Sequence, residues 1–440
     1  YGMTSPPVVI GDVVVVGSSM GDNRRVDMEQ GAVRGYDARS GQLLWRFDPV
    51  PLVGSVLTDS FAPESRWRAP KGRSVATRRL GGSASDTTCF AVPPSGTQVG
   101  AGAAECDWTP AALRSGAGNA WAPLSADTAL GLVYVPTGSA APDFFGGERP
   151  GDNRYTNSVV ALDGKTGVVR WHFQGVHHDL WDYDVGSQPS LITVPRNGRA
   201  VPAVAVVTKM GHIFILDRAT GEPLFPVEER PVPASDVPGE RASPTQPFPT
   251  RPRPLFERQL ERSDIWGHTG KEKDACLAEY DRMRSGPLFT PPSVQGTVML
   301  PGYGGGTTWG GMSWSPERHL LVTNVLRIPF WVRLEPRAPG DSSGNQIGTP
   351  YRMSRGVLSS PRGLPCNRPP WGTLVAIDLA TGERHWEVPL GRIPELWWIP
   401  GSARWGSPNM GGSMITAGGL VFIGAGMDNH TGAQFAILIK

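Results

Sequence analysis

Long apolar runs are scarce in this 440-residue sequence; stretches such as Val13–Val16 fall far short of the roughly 20 residues a membrane-spanning helix needs. Charge of one sign is scarce too. The 42 Lys and Arg nearly balance 40 Asp and Glu, for a net +2. The basic residues are scattered, with no stripe that would track phosphates, which excludes nucleic acid as a partner. Only four cysteines occur, Cys89, Cys106, Cys276 and Cys366. None forms C-x-x-C or C-x-x-C-H, which excludes a covalent haem and a zinc ribbon within the sequence. Cys89 and Cys106 bracket a stretch rich in Gly, Ser, Ala and Pro. Both a disulfide closing that loop and two unpaired thiols fit it. No charged segment followed by an apolar core opens the chain at Tyr1, so no signal peptide is visible. Thr4-Ser5-Pro6-Pro7 runs straight into a strand pattern, and the chain reads as a fragment or a trimmed mature form.

What is abundant points to many turns. Gly (56) and Pro (43) together exceed a fifth of the chain without any low-complexity tract, which implies many short strands rather than long helices. Fifteen Trp imply repeated structural slots or a flat aromatic ligand site, since a buried indole needs a partner for its N–H. Self-comparison supplies the slots. Four segments share Asp, then Gly four residues on, then an aromatic four further on: Asp37/Gly41/Trp45, Asp163/Gly167/Trp171, Asp217/Gly221/Phe225 and Asp378/Gly382/Trp386. Each reads as a hairpin in which Asp accepts turn N–H groups, Gly supplies positive φ, and the aromatic lands at a fixed place on the return strand. Repeated wedges of that kind lock the blades of a propeller.

The expected fold is therefore all-β, a propeller of four-stranded antiparallel blades carrying tryptophan-docking repeats. Intervals between the repeat aspartates are 126, 54 and 161 residues. The shortest suits one blade; the longer ones predict further blades with degenerate wedges together with insertions, five or six blades in all. Residues 1–440 are read as one propeller domain with loop insertions at about 60–118 and 226–285. Residues 271–285 predict one short helix stopped by Gly286.

The densest polar and aromatic run is His177-His178-Asp179-Leu180-Trp181-Asp182-Tyr183-Asp184. Zinc on the two histidines is a weak reading, because neighbours on an extended strand face opposite ways. A desolvated carboxylate acting as general base suits the run better, with a solvated loop as the bland alternative. Lys209 ends one apolar strand just before another, and Trp121 precedes Ala122-Pro123 without the Asp and Gly of the wedges. Their plain readings are a surface lysine and a further wedge. Ser18-Ser19-Met20-Gly21-Asp22-Asn23 closes a strand with oxygen donors that suit a hard cation, or an ordinary turn.

Together these stretches resemble the pyrroloquinoline-quinone (PQQ) dependent dehydrogenases, in the branch of membrane glucose dehydrogenase and quinate dehydrogenase. Further matches are Leu132-Val133-Tyr134-Val135-Pro136 with Pro142-Asp143, Phe289-Thr290-Pro291-Pro292-Ser293, Trp309-Gly310-Gly311, Gly363-Leu364-Pro365-Cys366 and Met427-Asp428-Asn429. The resemblance runs in order along essentially the whole chain. It implies an eight-bladed family fold, with the N- and C-terminal blades expected to be missing here. It implies Asp182 as catalytic base and Lys209 as the cation on the quinone's reactive carbonyl. Trp121 is implied as the stacking floor, with Thr4 and Ser19 as hydroxyl contacts to the cofactor. Asp22, Asn23 and Asp182 are implied as metal contacts, and Asp428 as a residue at the substrate mouth. The implied cofactors are PQQ and calcium, or else magnesium.

The activity implied is oxidation of a sugar or cyclic polyol, glucose- or quinate-like, to a lactone or ketone, with electrons passed to ubiquinone. A periplasmic setting is implied, with membrane association only through segments not in this sequence. Two positions depart from the pattern. Ala141 stands where Asn or Thr usually offers a metal ligand, and Tyr303 where Asn usually contacts the cofactor. A non-enzymatic propeller that binds partner proteins is the competing reading.

Overall fold

The computed structural model describes residues 2–50, 108, 112, 115–424 and 435–438. Most of the insertion expected at 60–118, the Cys89–Cys106 pair and Asp428 lie outside the described residues.

Strands β1 (Val8–Ile10), β2 (Val13–Val16), β3 (Val33–Asp37) and β4 (Leu43–Phe47) form a first sheet, and β5 (Ser125–Asp127), β6 (Leu132–Pro136), β7 (Ser158–Asp163) and β8 (Val169–Gln174) a second. The third contains β9 (Ser190–Arg196), β10 (Arg199–Val207) and β11 (Ile213–Asp217). After it come β12 (Val227–Pro231), β13 (Thr245–Pro249), the helix α1 (Gly270–Asp281) and β14 (Thr297–Met299). A fourth sheet is built from β15 (Met312–Ser315) and β16 (Leu320–Leu326). Then β17 (Phe330–Pro336) and β18 (Tyr351–Val357) leave it, and β19 (Gly372–Asp378) and β20 (Arg384–Pro389) complete it. β21 (Ser413–Ile415), β22 (Leu420–Ile423) and β23 (Phe435–Leu438) form the fifth.

Within each of the five sheets the strands are antiparallel and added in chain order. β1 lies beside β5, β5 beside β9, β9 beside β15 and β15 beside β21. That succession is the blade order of a propeller. Middle strands such as β6 and β16 are buried at every residue, because their blades have a neighbouring blade on either side.

The repeat explains how the blades lock. Asp163 Oδ1 accepts from Lys165 N (3.1 Å), Thr166 N (3.0 Å) and Thr166 Oγ1 (2.9 Å), and Gly167 closes the turn at φ +69°. The indole of Trp45, from the preceding blade, lies on this turn and donates Nε1 to Gly164 O at 3.1 Å. A Cβ on Gly167 would sit 2.6 Å from that ring. Trp171 repeats the arrangement one blade on, donating to Arg218 O at 3.2 Å with Gly221 beneath it. Phe225 then rests against Gly382 of the fourth blade. Truncating such a buried aromatic typically costs about 3–5 kcal/mol.

The same contacts correct the expectation about the long intervals. Trp45 docks on the Asp163 turn and Phe225 on the Asp378 turn, so neither interval separates its two blades by another. Both hold insertions. The later one contains the β12–β13 hairpin, α1 and β14, while β17 and β18 are a detour within the fourth blade that pairs with β14. The helix spans Gly270–Asp281 rather than 271–285, opened by a capping box of Thr269 and Glu272. It ends before Gly286 because Arg284 already pairs with Gly296 and Val298, beside β14. A disulfide joins Cys276 of α1 to Cys366, a pairing that a sequence separation of 90 conceals. Among the described residues no helix is long and apolar enough to cross a membrane.

Candidate active site

The run from His177 to Asp184 follows β8 and is pinned from several sides. Asp179 is its internal hub. Its Oδ1 accepts from Trp181 N (2.9 Å), and its Oδ2 from Tyr183 N (2.8 Å), Asn157 Nδ2 (2.8 Å) and Ser139 Oγ. Trp181 Nε1 donates to Thr290 O at 2.9 Å and Tyr183 Oη to Pro301 O at 2.6 Å. Gln246 of β13 clasps the backbone of His177 through both amide atoms, at 2.8 and 2.7 Å. The two imidazoles diverge, His177 to Glu229 (3.1 Å) and His178 to Glu240 (2.9 Å). The insertion after the third blade thus buttresses this run.

Between its two anchored aromatics, Asp182 takes a left-handed φ of +60° and is buried. Lys209, in the turn after β10, places Nζ 2.6 Å from Asp182 Oδ1 and 2.8 Å from Asp184 Oδ2. Its backbone N–H donates to Asp184 O at 3.1 Å, which holds the turn against the same run. Trp121 Nε1 donates to Asp184 Oδ2 at 3.0 Å, and Lys209 Nζ stands 5.7 Å from the indole centre. Ser139 holds the other oxygen of Asp184 through N (2.7 Å) and Oγ (3.0 Å). Asp182, Lys209 and Trp121 therefore converge, with Asp184 as the joint between them.

Burial pushes Asp182 well above the usual carboxylate range; Lys209 opposes this, while Asp184 and Asp22 add to it. Burial also lifts Asp184, but Lys209 and Ser139 hold it below its usual range on balance. Lys209, pulled down by burial, is raised overall by the two carboxylates and stays an ammonium. The set is one ammonium shared by two buried carboxylates of opposite tendency, Asp182 favouring its proton and Asp184 its charge.

A second group of oxygens adjoins it. Asp22 is pushed up to about 6, first by burial and then by Asp184, and Asn119 Nδ2 donates to its Oδ2 at 3.4 Å. Asp143 is fully buried, and among the described residues neither of its carboxylate oxygens has a hydrogen-bond partner; Asn119 Oδ1 and Ser18 Oγ likewise have none there. Burial, Asp22, Asp182 and Asp184 all push Asp143 upward. Orphaned acidic oxygens beside crowded carboxylates are what a hard cation would satisfy. Among the described residues no three such side chains close into a ligand set by themselves, so an ion here would draw on amide, carbonyl or ligand oxygens as well. Ala141 adds no side-chain oxygen, and its carbonyl accepts from Ser115 Oγ.

Among the other positions the resemblance marks, Thr4 donates Oγ1 to Trp121 O at 2.9 Å and so joins the floor of the site. Ser19 pairs with Gly2 through its backbone, and Asn23 is held by its carbonyl, which accepts from Gln346 N at 3.0 Å. Asp428 lies outside the described residues. The contributions of Asp184, Asp143, Asn119 and Ser139 were missed. Asp184 carried a signal only as the last of three carboxylates crowded into the run from His177 to Asp184.

Residues 1–72 and 97–434 match the family model described as PQQ glucose/ethanol/alcohol dehydrogenase, β-propeller domain. The chain belongs to this family of PQQ-dependent dehydrogenase propellers. It is 37% identical to quinoprotein glucose dehydrogenase A of Acinetobacter calcoaceticus, over 98% of this chain and 50% of that protein. It is 37% identical to the glycerol dehydrogenase large subunit of Gluconobacter oxydans, over 97% of this chain and 55% of that protein. Quinate/shikimate dehydrogenase (quinone) of Acinetobacter baylyi is 32% identical over 98% of this chain and 50% of that protein. The chain thus spans about half the length of the curated relatives it matches. Among solved structures, quinohemoprotein alcohol dehydrogenase from Comamonas testosteroni aligns with a TM-score of 0.58 at 21% identity, over 96% of this chain and 49% of that one. That likeness concerns the fold alone.

Proposed function

We propose that this quinoprotein chain carries the PQQ site of a dehydrogenase that oxidises a sugar or cyclic polyol to a lactone or ketone. The reading extends to a quinone of the ubiquinone type as electron acceptor and to a periplasmic setting, as the resemblance to the glucose and quinate enzymes implies. The observation that carries it is the convergence of Asp182, Lys209 and Trp121 through Asp184. A scaffold propeller has no use for a buried ammonium shared by two carboxylates beside a half-buried indole.

The residues present fit the cofactor. Trp121 offers an indole face opposite Gly186, where a Cβ would lie 3.1 Å from the ring and crowd it. Lys209 offers donors at a fixed point beside that face, and Asp22, Asp143 and Asn119 would hold a calcium or magnesium ion through their oxygens. Bound PQQ supplies a two-electron acceptor carbonyl, which this protein's side chains lack. Asp182 accepts the proton of the substrate hydroxyl on Oδ2, since Lys209 already occupies Oδ1. Burial raises its affinity for a proton, as suits a general base, and the neighbouring Lys209 ammonium opposes that rise. Asp184 holds Lys209 and Trp121 in register and takes no proton. Trp181 and Tyr183, both buried, keep water from the flanks of Asp182.

The test is dye reduction by the protein loaded with PQQ and calcium or magnesium, over a panel of sugars and polyols. At least one substrate is expected to reduce the dye. Asp182→Asn should lower that turnover about 10²–10⁴-fold while PQQ still binds. No reduction with any polyol, although PQQ binds, or a variant working at the parent rate would overturn the reading.

A further inference from the structure

Arg355 is the cation of this site that the chemistry above leaves unused. It comes from β18, in the sheet inserted outside the blades. Its guanidinium lies over the ring of Tyr303 at 4.4 Å and over that of Phe144 at 5.5 Å. Two aromatic faces thus preset its orientation, with its N–H donors little used among the described residues. Its approach to Asp182 is 3.8 Å, Nη1 to Oδ2, beyond the 2.7–3.2 Å span of an N–H···O bond. Arg149, also near the run, shows the structural alternative: fully buried, it spends its donors on Asn153, Pro142 O and Asp179 O. Arg355 is instead 31% exposed, with its planar fork open at the oxygen of Asp182 that Lys209 does not hold.

The charge balance makes that fork selective. Asp22, Asp143, Asp182 and Asp184 press on one another with Lys209 as the cation among them, so an anion entering unaided meets repulsion. A guanidinium matches a carboxylate bidentately and removes that obstacle at one point only. Tyr303, the departure from the family pattern, supplies the ring on which the guanidinium rests.

We infer that Arg355 anchors a carboxylate on the substrate, so that the site takes an acidic polyol in preference to a neutral one. This rests on the oxidation reading above for the chemistry, but not for the binding. The experiment uses the protein loaded with PQQ and calcium and compares quinate with its neutral carboxamide by titration calorimetry. Quinate is expected to bind at least tenfold more tightly than the carboxamide. Arg355→Gln should close that gap at least tenfold, Arg355→Lys should restore part of it, and affinity for PQQ, followed by fluorescence, should stay put. Equal binding of the two ligands by the parent protein overturns the inference without any variant. So does a gap that Arg355→Gln leaves unchanged, or a loss of PQQ affinity in its place, which would make Arg355 a cofactor contact. Quinate preference without dye reduction would sustain the anchor and sink the oxidation reading. Dye reduction confined to neutral polyols would do the reverse.

Discussion

Aspartate does two opposite jobs in this chain. At the blade turns it faces solvent and collects N–H donors: Asp37 is held below its ordinary range by Ser40 first and then Arg39. Asp163 is lifted by partial burial but lowered on balance by Arg170 and Thr166. At the hub, burial and mutual repulsion push Asp22, Asp143 and Asp182 upward, and Asp184 escapes only through Lys209 and Ser139. The turns stabilise the fold with ionised carboxylates. The hub holds carboxylates the fold alone has no reason to gather, which is the mark of a site built for something else.

Removing the hub's cation should strain that contrast most. Lys209→Met leaves Asp182 and Asp184 facing each other unpaired, and should cost about 3–5 kcal/mol in denaturant unfolding. In an Asp182→Asn background the penalty should shrink by about half; an undiminished penalty would mean that packing, not charge, is what Lys209 supplies. The pH dependence should come next in size. Asp22 is pushed up to about 6 from an ordinary 3.8, so the folded state keeps a proton the unfolded chain has lost between those values. Its contribution therefore weakens the ligand-free protein as pH rises through that window, by about 3 kcal/mol, and Asp22→Asn should flatten the fall. Asp37 and Asp163 carry the opposite sign, losing stability as pH drops below the ordinary value. The smallest effect is expected there. Asp163→Ala removes three turn bonds and should lower stability by about 1 kcal/mol, with PQQ affinity unmoved.

Four Asp–Gly–aromatic repeats made the blades legible, since the spacing encodes a hairpin and its wedge in nine residues. The partner of each wedge was not legible. Trp45 seats on a turn 119 residues away at Gly164, a relation that only packing of whole blades creates. Asp182, Lys209 and Trp121 were readable through resemblance, and their meeting through Asp184 was not, because hydrogen bonds between a loop, a turn and a pre-proline segment leave no periodicity. Arg355 and the Cys276–Cys366 bridge were invisible for a related reason. Both belong to inserted elements, α1 and β18 and their flanks, whose sequence has no internal standard to be compared with.

The account stands on a flat quinone seated at Trp121 beside Lys209, and the direct measurement is a PQQ titration with calcium, followed by quenching of protein fluorescence. The parent protein should give saturable one-to-one binding, and Trp121→Ala should weaken it at least tenfold with the fold intact by circular dichroism. The same binding curve for both proteins would place the cofactor elsewhere and contradict the account.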